Sequence, residues 1–370
     1  MSSVTADPTG AGSTAAGSAT AAGTATAAGT AARVPHQVAR AQGGAAGAEV
    51  VTTVAVVVCT YTDARWDLLC RAVESVQHQT LAPRRLVLCV DHNPELARRC
   101  RRRWPEGGEH GAVRVEVVEN RYAGRLGSAR NTAVEEVGAD ADVVAFLDDD
   151  AAADPGWLET LLRVYQEDPA ARAVGGAPLP VLETALPRWF PPEFHWVFGC
   201  HYRGLPTRRA PMRHLIGANM SARTDVLREV RGFHADDHDD MDLSHRVAAA
   251  HGAASVLYEP RAQVRHFVPA HRVTWNYFWR RCYVVNREKV RALRDMGDAG
   301  NLGAELEFVA DAARTVLGSV GRALLGRPAG LAPSAAMVAG IGLAGLGNVH
   351  GRLAMLLGRT PPARTRGLPA

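Results

Sequence analysis

The sequence predicts an open, mostly parallel α/β sheet flanked by helices, followed by a helical C-terminal extension. Short β-branched apolar runs alternate with helical patterns through the first half of the chain, and the first run occupies residues 51–60. Such runs are typical of strands buried on both faces of a parallel sheet, and the intervening helices supply the crossover connections. Because ligands of such sheets bind beyond the carboxyl ends of the strands, the residues after each run are candidate site residues.

The predicted elements follow in chain order after the first strand. Apolar residues on one stripe predict an amphipathic helix at 66–79, which ends before Pro83. A Gly-containing loop at 121–130 leads into a short helix that ends near residue 137. The other predicted strands span 86–90, 114–118, 143–147, 215–221 and 255–258, and the other predicted helices begin at 155 and span 241–250.

The chain divides into three predicted regions. Residues 1–48 are nearly all Ala, Gly, Ser and Thr, which predicts a disordered tail with neither a packed core nor a signal peptide. We expect one globular domain at 49–269 and a helical extension at 270–370. Within the domain, the stretch 178–211 is rich in proline and aromatic residues and predicts an irregular insertion that shapes the substrate site.

Composition narrows the class of protein. The net charge of +4 is too small to indicate a nucleic-acid partner. The six cysteines lack the short paired spacings of zinc or redox sites, which predicts reduced thiols and a cytoplasmic protein.

The basic, aromatic segment 275–294 leaves two interpretations open: a helix in the lipid headgroups at the inner face of the cell membrane, or a helix packed on the domain. The uncharged stretch 328–351 is rich in Gly and Ala and predicts a poor spanning helix.

Three consecutive acids follow the strand predicted at 143–147. Asp148, Asp149 and Asp150 would repel one another unless a positive charge lies among them, and a cation is the natural solution. In an extended chain, Asp148 and Asp150 point to the same side of the strand and Asp149 points away. Carboxylate ligands fit an oxygen-preferring ion such as Mg²⁺ or Mn²⁺, which also neutralises a diphosphate leaving group.

Two other interpretations of the acidic triplet stay open. In the first, the acids cap the next helix, although Asp154 and Pro155 already supply its N-cap and its first position. In the second, the strand that ends in Asp-x-Asp presents the nucleophile of a haloacid-dehalogenase-like phosphatase. That motif belongs on a first strand with Thr or Val shortly after it, whereas here it follows about the fourth strand and precedes three alanines.

A second acidic cluster precedes and opens the helix predicted at 241–250. Residues 232–243 contain five aspartates, and the helix dipole accounts for one or two of them rather than five. Transfer of a group to a hydroxyl requires a base within hydrogen-bond reach of that hydroxyl, and one of these carboxylates is a candidate. His234, His238 and His245 raise the alternative of a zinc site, whose remaining ligands the sequence does not identify.

Six short motifs occur in order along the chain. They are Cys59-Thr60-Tyr61-Thr62, Val90-Asp91, Gly127-Ser128-Ala129-Arg130-Asn131, Phe146-Leu147-Asp148-Asp149-Asp150, Gly217-Ala218-Asn219-Met220 and Asp239-Asp240-Met241-Asp242-Leu243. Together they resemble family 2 glycosyltransferases of the GT-A fold, which has a Rossmann-like sheet, and their order and spacing agree with that family from about residue 51 to residue 266. The resemblance implies that a sugar is transferred, with inversion, from a nucleotide-diphosphate donor to an acceptor hydroxyl.

The resemblance also implies a set of donor-binding residues. Thr60, Tyr61 and Asp91 match positions that line the nucleobase pocket of the family. Arg130 matches a position that approaches the nucleotide, and Asp149 belongs to the motif that contacts the nucleotide sugar.

The metal site and the base are implied in the same way. Asp148 and Asp150 match the ribose and metal contacts, and His266 matches a position that helps to bind Mg²⁺ or Mn²⁺ in some relatives. Asp240 matches the catalytic base, and Asp239 is its neighbour in the acidic pair. We therefore expect the two acidic clusters to converge on one cleft.

The sequence departs from the family at several positions. Asp239-Asp240 stands where the family usually has Glu-Asp or Glu-Glu, and the acidic run before it leaves the register open, so Asp242 stays a reserve candidate for the base. The stretches 188–194 and 199–206 are similar to an actinobacterial-type subgroup.

The sequence leaves three classes of acceptor open: a polysaccharide, a lipid-linked alcohol and a small molecule. Trp189 is a candidate acceptor platform, and Asn219 is a candidate ligand of a sugar hydroxyl. An aromatic core and a contact within the loop are the alternatives for these two residues.

Two competing functions share parts of this pattern. A sugar-nucleotide nucleotidyltransferase would carry a Gly-rich loop with a basic residue after the first strand, and residues 60–65 lack that loop. A non-catalytic carbohydrate-binding relative is the other alternative. The presence of Asp148, Asp150 and Asp240 argues against it.

Overall fold

The computed structural model describes residues 53–105, 113–234, 238–295, 303–325, 330–358 and 368. The tail predicted at 1–48 and two acids of the second cluster, Asp236 and Asp237, lie outside these residues. The strands are β1 (Val54–Thr60), β2 (Arg85–Val90), β3 (Val115–Glu119), β4 (Val143–Asp148), β5 (Ala151–Ala153), β6 (Ala173–Leu182), β7 (Ala210–Pro211), β8 (Asn219–Arg223) and β9 (Val256–Val268). The helices are α1 (Trp66–Gln77), α2 (Pro94–Arg103), α3 (Leu126–Val137), α4 (Trp157–Glu167), α5 (Thr224–Glu229), α6 (Asp239–His251), α7 (Trp275–Asp295), α8 (Gly303–Leu324) and α9 (Leu331–Leu356).

One sheet contains all the strands of the described residues. Its order is β3-β2-β1-β4-β8-β6-β9-β5, and β7 pairs with β9. The pairs β1/β2, β1/β4, β2/β3 and β6/β9 are parallel, and β8 runs antiparallel to both β4 and β6. Most of the long strands therefore share one direction, and the predicted mostly parallel α/β sheet flanked by helices is confirmed.

Apolar strand residues build a core on each face of the sheet. Alternate residues of β1 point to opposite faces, so that Val56 and Val58 join one cluster while Ala55 and Val57 join the other. The first cluster packs against α1 and α4, and the second packs against α3, α5 and α6. Burial of each Val or Leu side chain contributes about 1.5–3 kcal/mol to the stability of the sheet that positions the site.

Two strands near the site, β6 and β8, differ from the prediction. β6 extends into the stretch 178–211 that the sequence predicts to be irregular, and its Gly176 approaches β9 so closely that an added Cβ would lie 1.9 Å from Ala262 O. Only glycine permits this approach. β8 begins at Asn219 rather than at residue 215, because the chain turns between Ile216 and Asn219, whose N–H donates to Ile216 O.

The C-terminal helices pack on the domain and on one another. Gly347 of α9 lies so close to α7 that a Cβ there would lie 2.2 Å from Tyr283 O, and Gly351 repeats this contact one turn later at Arg287 O. Phe278 and Cys282 of α7 are fully buried in a cluster with the aromatic residues of the 3-10 helix Pro192–Phe198. The predicted helical extension is confirmed. By length and composition α9 could cross a membrane, although 28% of its apolar window is buried.

Candidate active site

The acidic triplet lies at the carboxyl end of β4, near the middle of the sheet. Asp148 ends β4 opposite Cys59 of β1, and the chain then turns at Asp149 and Asp150 into β5. β5 pairs antiparallel with β9, and in this register Ala151 lies opposite His266. The strand pairing therefore brings a histidine to the triplet from a distant part of the sequence.

Asp148, Asp150 and His266 form a group with metal-ligand geometry. Each offers one oxygen or nitrogen atom, and these atoms lie within 4.8 Å of one another. Asp150 and His266 are buried, whereas the side chain of Asp148 is 28% exposed, so the group opens to the surface through Asp148. Two carboxylates and an imidazole suit a divalent ion such as Mn²⁺, and open positions would remain for donor oxygens.

His266 is held from both sides of its ring. Its Nε2 lies 3.0 Å from Asp150 Oδ1, and its Nδ1 lies 3.3 Å from Cys200 Sγ. Burial alone would lower the pKa of His266, but the hydrogen bonds with Asp150 and Cys200 outweigh it and raise the pKa to about 10. Ligation requires the neutral ring, so metal binding would release this proton. Cys200 carries no signal of this role in the sequence.

Arg65 supplies positive charge to the triplet and was not predicted. Its Nη1 lies 2.9 Å from Asp149 Oδ1 and 3.0 Å from Asp150 Oδ2. The hydroxyl of Thr60 donates to Asp149 Oδ2 at 2.8 Å. Burial and the charge of Asp150 outweigh these contacts and raise the pKa of Asp149 to about 6. Asp149 is therefore held by Thr60 and by Arg65, which also contacts Asp150, and these contacts tie the loop after β1 to the triplet.

The carboxyl ends of β1, β2 and β3 form the edge next to the triplet. Asp91 follows β2 and accepts a hydrogen bond from Asn120 Nδ2 at 2.8 Å, while its N–H donates to Thr60 O. The ring of Tyr61 is 58% exposed beside this edge, where Asn93 Nδ2 donates to the Tyr61 carbonyl. Strand order therefore groups Thr60, Tyr61 and Asp91, and an exposed ring beside a carboxylate can receive a base.

Arg130 joins the two acidic clusters. Its guanidinium, which is 3% exposed, lies 3.0 Å from Asp148 Oδ1 and 2.8 Å from Asp239 Oδ2, and it also donates to Gly217 O. α3 places this side chain under the end of β4, where α6 begins. The two acidic clusters therefore lie close together in the fold, because one buried cation contacts both. The single cleft expected between them stays a prediction.

Backbone groups fix the orientation of the Asp240 side chain. His238, which precedes α6, has a left-handed conformation with a φ of 59°, and a non-glycine residue adopts it only where the surroundings enforce it. The N–H groups of Gly217 and Met241 donate to Asp240 Oδ2 and Oδ1 at 2.9 and 2.8 Å. Burial outweighs Arg130 and these bonds and raises the pKa of Asp240, which strengthens the carboxylate as a proton acceptor.

The other described acids of the second cluster have structural partners. Asp239 pairs with Arg130, and burial raises its pKa to about 6. Asp242 Oδ2 lies 2.6 Å from Arg246 Nη2 on the next turn of α6 and also accepts from the N–H of His234. Within the described residues, the three histidines of the zinc alternative form no group with metal-ligand geometry.

Two predicted acceptor residues serve the interior instead. Asn219 is fully buried, its Oδ1 accepts from Trp157 Nε1 at 2.8 Å, and its Nδ2 donates to Ala262 O at 2.9 Å, so its amide ties β8 to neighbouring elements. Trp189 packs edge-on against Trp275 and Phe278 with ring centroids 5.1 and 5.5 Å apart. The structure therefore favours the aromatic core given as the alternative for Trp189, whereas Asn219 contacts two distant segments rather than its own loop.

A cavity of about 550 Å³ opens beside Asp240. Its wall includes Asp240, Met241, Trp196 and Cys200, the last of which contacts His266. The cavity therefore adjoins both the second acidic cluster and the metal-ligand group. This volume lies within the roughly 300–1,000 Å³ typical of pockets for small ligands.

Comparisons with known proteins find a family model and several relatives. A family model described as Glycosyl transferase family 2 matches residues 55–231. A glucosyl-dolichyl phosphate glucuronosyltransferase from Haloferax volcanii is 34% identical over 241 residues, which are 61% of this chain and 74% of that protein. A pre-mycofactocin glycosyltransferase from Mycobacterium tuberculosis is 30% identical over 155 residues, which are 41% of this chain and only 32% of that protein.

A solved structure shares the fold. It is the mannosyltransferase PcManGT from Pyrobaculum calidifontis in complex with GDP-Man and Mn²⁺, which is similar to this chain with a TM-score of 0.53 and 18% identity. The similarity covers 82% of this chain and 88% of that one. At this level of identity the match supports the GT-A-like fold.

Proposed function

The chain belongs to glycosyltransferase family 2 and is a nucleotide-sugar-dependent glycosyltransferase, and we propose that it uses a divalent metal ion and Asp240 as the general base. One observation carries this proposal. The buried guanidinium of Arg130 contacts Asp148 of the metal-ligand group and also Asp239, which directly precedes Asp240, the carboxylate oriented by backbone N–H groups. Membership of this family decides against the nucleotidyltransferase and the non-catalytic alternatives.

Asp148, Asp150 and His266 are the residues proposed to hold Mg²⁺ or Mn²⁺. Their donor set fits either ion, and the solved mannosyltransferase from Pyrobaculum calidifontis is in complex with Mn²⁺ together with GDP-Man. When bound, such an ion neutralises charge that develops on a departing diphosphate. Cys200 fixes the orientation of His266 from behind, as groups behind ligating histidines generally do.

The donor nucleotide is proposed to lie along the edge formed by β1, β2 and β3. Tyr61 offers an exposed ring, and Asp91 offers a carboxylate held by Asn120. Thr60 and Asp149 hold one another and Arg65 in place beside that edge. A nucleoside diphosphate bound there would direct its phosphates toward Asp148 at the end of β4.

Asp240 is proposed to take the proton of the acceptor hydroxyl. As the acceptor oxygen forms its bond to the anomeric carbon, the bond from that carbon to the diphosphate breaks on the opposite face, which inverts the anomeric centre. The proton passes to a carboxylate oxygen of Asp240, whose second lone pair remains available beside the N–H bond from Gly217 or Met241. Arg130 sets the position of Asp148 and Asp239 throughout.

The acceptor and the cellular location are proposals of the same kind. Among the three acceptor classes, a lipid-linked alcohol is supported by the name of the Haloferax volcanii relative, which includes a glucosyl-dolichyl phosphate. A cytoplasmic protein at the inner face of the membrane would meet such an acceptor. The actinobacterial-type subgroup stays a prediction, since the relative that is covered to 74% of its length is archaeal, and the mycobacterial relative is covered to only 32%.

A donor screen tests the proposed function. The thermal stability of the full chain would be measured with UDP-, GDP- and dTDP-sugars, each with Mn²⁺ and again after chelation by EDTA. Since a ligand that binds only the folded state stabilises it, we expect one class of donor to raise the melting temperature in the presence of Mn²⁺ only. Equal stabilisation after chelation would contradict the metal site.

A further inference from the structure

The cavity beside Asp240 lies between the domain and the C-terminal helices. One wall comes from the 3-10 helix Pro192–Phe198, from the segments that follow it and from the start of α6, and the facing wall comes from α7, α8 and α9. Donor-binding candidates Thr60, Tyr61 and Asp91 do not line it. The cavity is therefore placed to receive the second substrate.

Most of the cavity wall is apolar. Aromatic and aliphatic side chains from both walls face the space, and they include Phe194, Trp196, Val285, Phe308, Ile341 and Val349. A sugar or a polysaccharide would leave its hydroxyl groups without partners against such a wall, which costs free energy for each buried hydroxyl. A hydrocarbon chain gains free energy there in proportion to the apolar area removed from water.

Cations interrupt the apolar wall on one side. Arg281 and Lys289 of α7 line the cavity together with His214, and Asp240 is the one acid among its described lining residues. The Nε of Arg281 is buried without a hydrogen-bond partner among the described residues. Burial, followed by the charge of Lys289 and neighbouring bases, holds the pKa of His214 well below its usual range. The field on this side is positive and suits an anion.

The cavity is continuous with an exposed apolar surface. Val309 of α8 and Val349 of α9 line the cavity and are also 40% and 55% exposed. Around them, the outer faces of α8 and α9 expose further large side chains, namely Leu317, Leu324, Leu346, Leu353 and Leu356. A hydrocarbon chain longer than the cavity would therefore leave it onto an apolar face rather than into water.

We propose that this cavity is the acceptor site and that it binds an amphipathic acceptor, an apolar chain joined through a phosphate to a hydroxyl-bearing headgroup. The phosphate lies at Arg281 and Lys289, the chain lies along the apolar wall and leaves at Val309 and Val349, and the headgroup hydroxyl reaches Asp240. This assignment rests on the proposed function for the role of Asp240. The binding of the phosphate and the chain does not depend on catalysis.

Binding of farnesyl phosphate to the full chain tests the proposal without turnover. Three comparison ligands are used. Farnesol lacks the phosphate, and inorganic phosphate lacks the chain. Vesicles of phosphatidylglycerol offer a phosphate in a bilayer. We expect farnesyl phosphate to bind more tightly than farnesol and to resist competition by inorganic phosphate and by the vesicles. Equal binding of farnesol, or displacement by inorganic phosphate or by the vesicles, would overturn the assignment.

Two pairs of matched variants locate the site. Arg281→Gln removes the cation with the unpartnered Nε and should weaken farnesyl phosphate binding by about 10- to 100-fold, the usual loss for a charge-assisted hydrogen bond. Arg280→Gln changes an exposed neighbour on α7 that does not line the cavity and should leave binding unchanged. Equal effects of the two substitutions would contradict the phosphate position.

The second pair compares a substitution that fills the cavity with one outside it. Gly345 lines the cavity and Gly342 does not, yet both lie on α9 with nothing within 4 Å of an added Cβ, so a side chain can begin at either position without a clash at its Cβ. Gly345→Leu should abolish farnesyl phosphate binding, whereas Gly342→Leu should retain it. Nucleotide-sugar binding with Mn²⁺ should persist in all four variants. If the wild-type protein does not bind farnesyl phosphate, this inference is overturned. If the wild-type protein does not bind a nucleotide sugar with Mn²⁺, the proposed function alone is overturned.

Discussion

The two acidic clusters have similar composition but different surroundings. At the end of β4, Asp148 and Asp150 meet an imidazole from β9 and open toward the surface through Asp148. At the start of α6, Asp239 and Asp242 are each paired with an arginine, and Asp240 instead accepts backbone N–H bonds beside a largely apolar cavity. Since Arg130 pairs with both Asp148 and Asp239, a carboxylate is suited to ligation, support or proton transfer according to all the groups around it rather than to one neutralising cation.

The largest expected effect concerns Asp240. Asp240→Asn removes the proposed proton acceptor, and we expect transfer to fall by about 10²- to 10⁴-fold, the usual contribution of general base catalysis. Donor binding should persist, because it belongs to the other cluster. The assay is single-turnover sugar transfer, with Asp242→Asn on the same helix as the matched control. A comparable rate loss in Asp242→Asn would assign the base to the reserve candidate.

Removal of the cation between the clusters should act on stability. Arg130→Gln leaves Asp148 and Asp239 without their shared partner, and we expect the free energy of unfolding to fall by about 3–5 kcal/mol. Urea denaturation of the variant measures this. The control is Arg163→Gln, which breaks an exposed pair with Glu159 and should cost less than about 1 kcal/mol. Similar losses for both variants would show that Arg130 does not join the clusters.

The support of His266 predicts a smaller effect at the first cluster. Cys200→Ala removes the sulfur behind the ring, and we expect the affinity for Mn²⁺ to fall by about 10- to 100-fold, as for other groups that orient a ligating histidine. Mn²⁺ titration followed by electron paramagnetic resonance measures the affinity. Cys70→Ala, on α1 and half-buried, should leave it unchanged. An unchanged affinity in Cys200→Ala would mean that His266 is not a ligand or is held by other contacts.

The smallest expected effect concerns Asp242. Asp242→Asn weakens the pair with Arg246 and should lower the free energy of unfolding by about 1–2 kcal/mol, while the rate of transfer remains near that of the wild type. Thermal denaturation and the transfer assay on the same sample separate the two readouts. A stable but inactive variant would reverse the roles assigned to Asp240 and Asp242.

The sequence predicts the parts of the site that follow directly from buried strands. Apolar runs locate β1, β2 and β4, and the polar residues after them, Asp91 and Asp148, lie where the sheet rule places them. β6 escapes prediction because Gly176 and its neighbouring prolines resemble a loop, although Gly176 is needed for the close approach of β9. The roles of Arg65 and Cys200 depend on contacts between distant segments, and no local pattern in the chain encodes them.

Asn219 and Trp189, the candidate acceptor residues, show that the sequence alone does not reveal whether a side chain is buried. Asn219 has the composition of a sugar ligand, but the burial of β8 commits both ends of its amide to Trp157 and to Ala262. An asparagine has the same place in the sequence pattern whether its side chain is exposed or buried. Their difference arises from which helix packs over the strand.

Donor binding measured side by side in Asp150→Asn and Asp240→Asn tests the division between the clusters most directly. The full chain and both variants would be titrated with the donor that the screen identifies, in the presence of Mn²⁺. Asp150→Asn should lose Mn²⁺-dependent binding of the donor, and Asp240→Asn should bind it as the wild type does. Equal loss in both variants, or full donor binding by Asp150→Asn, would contradict the account.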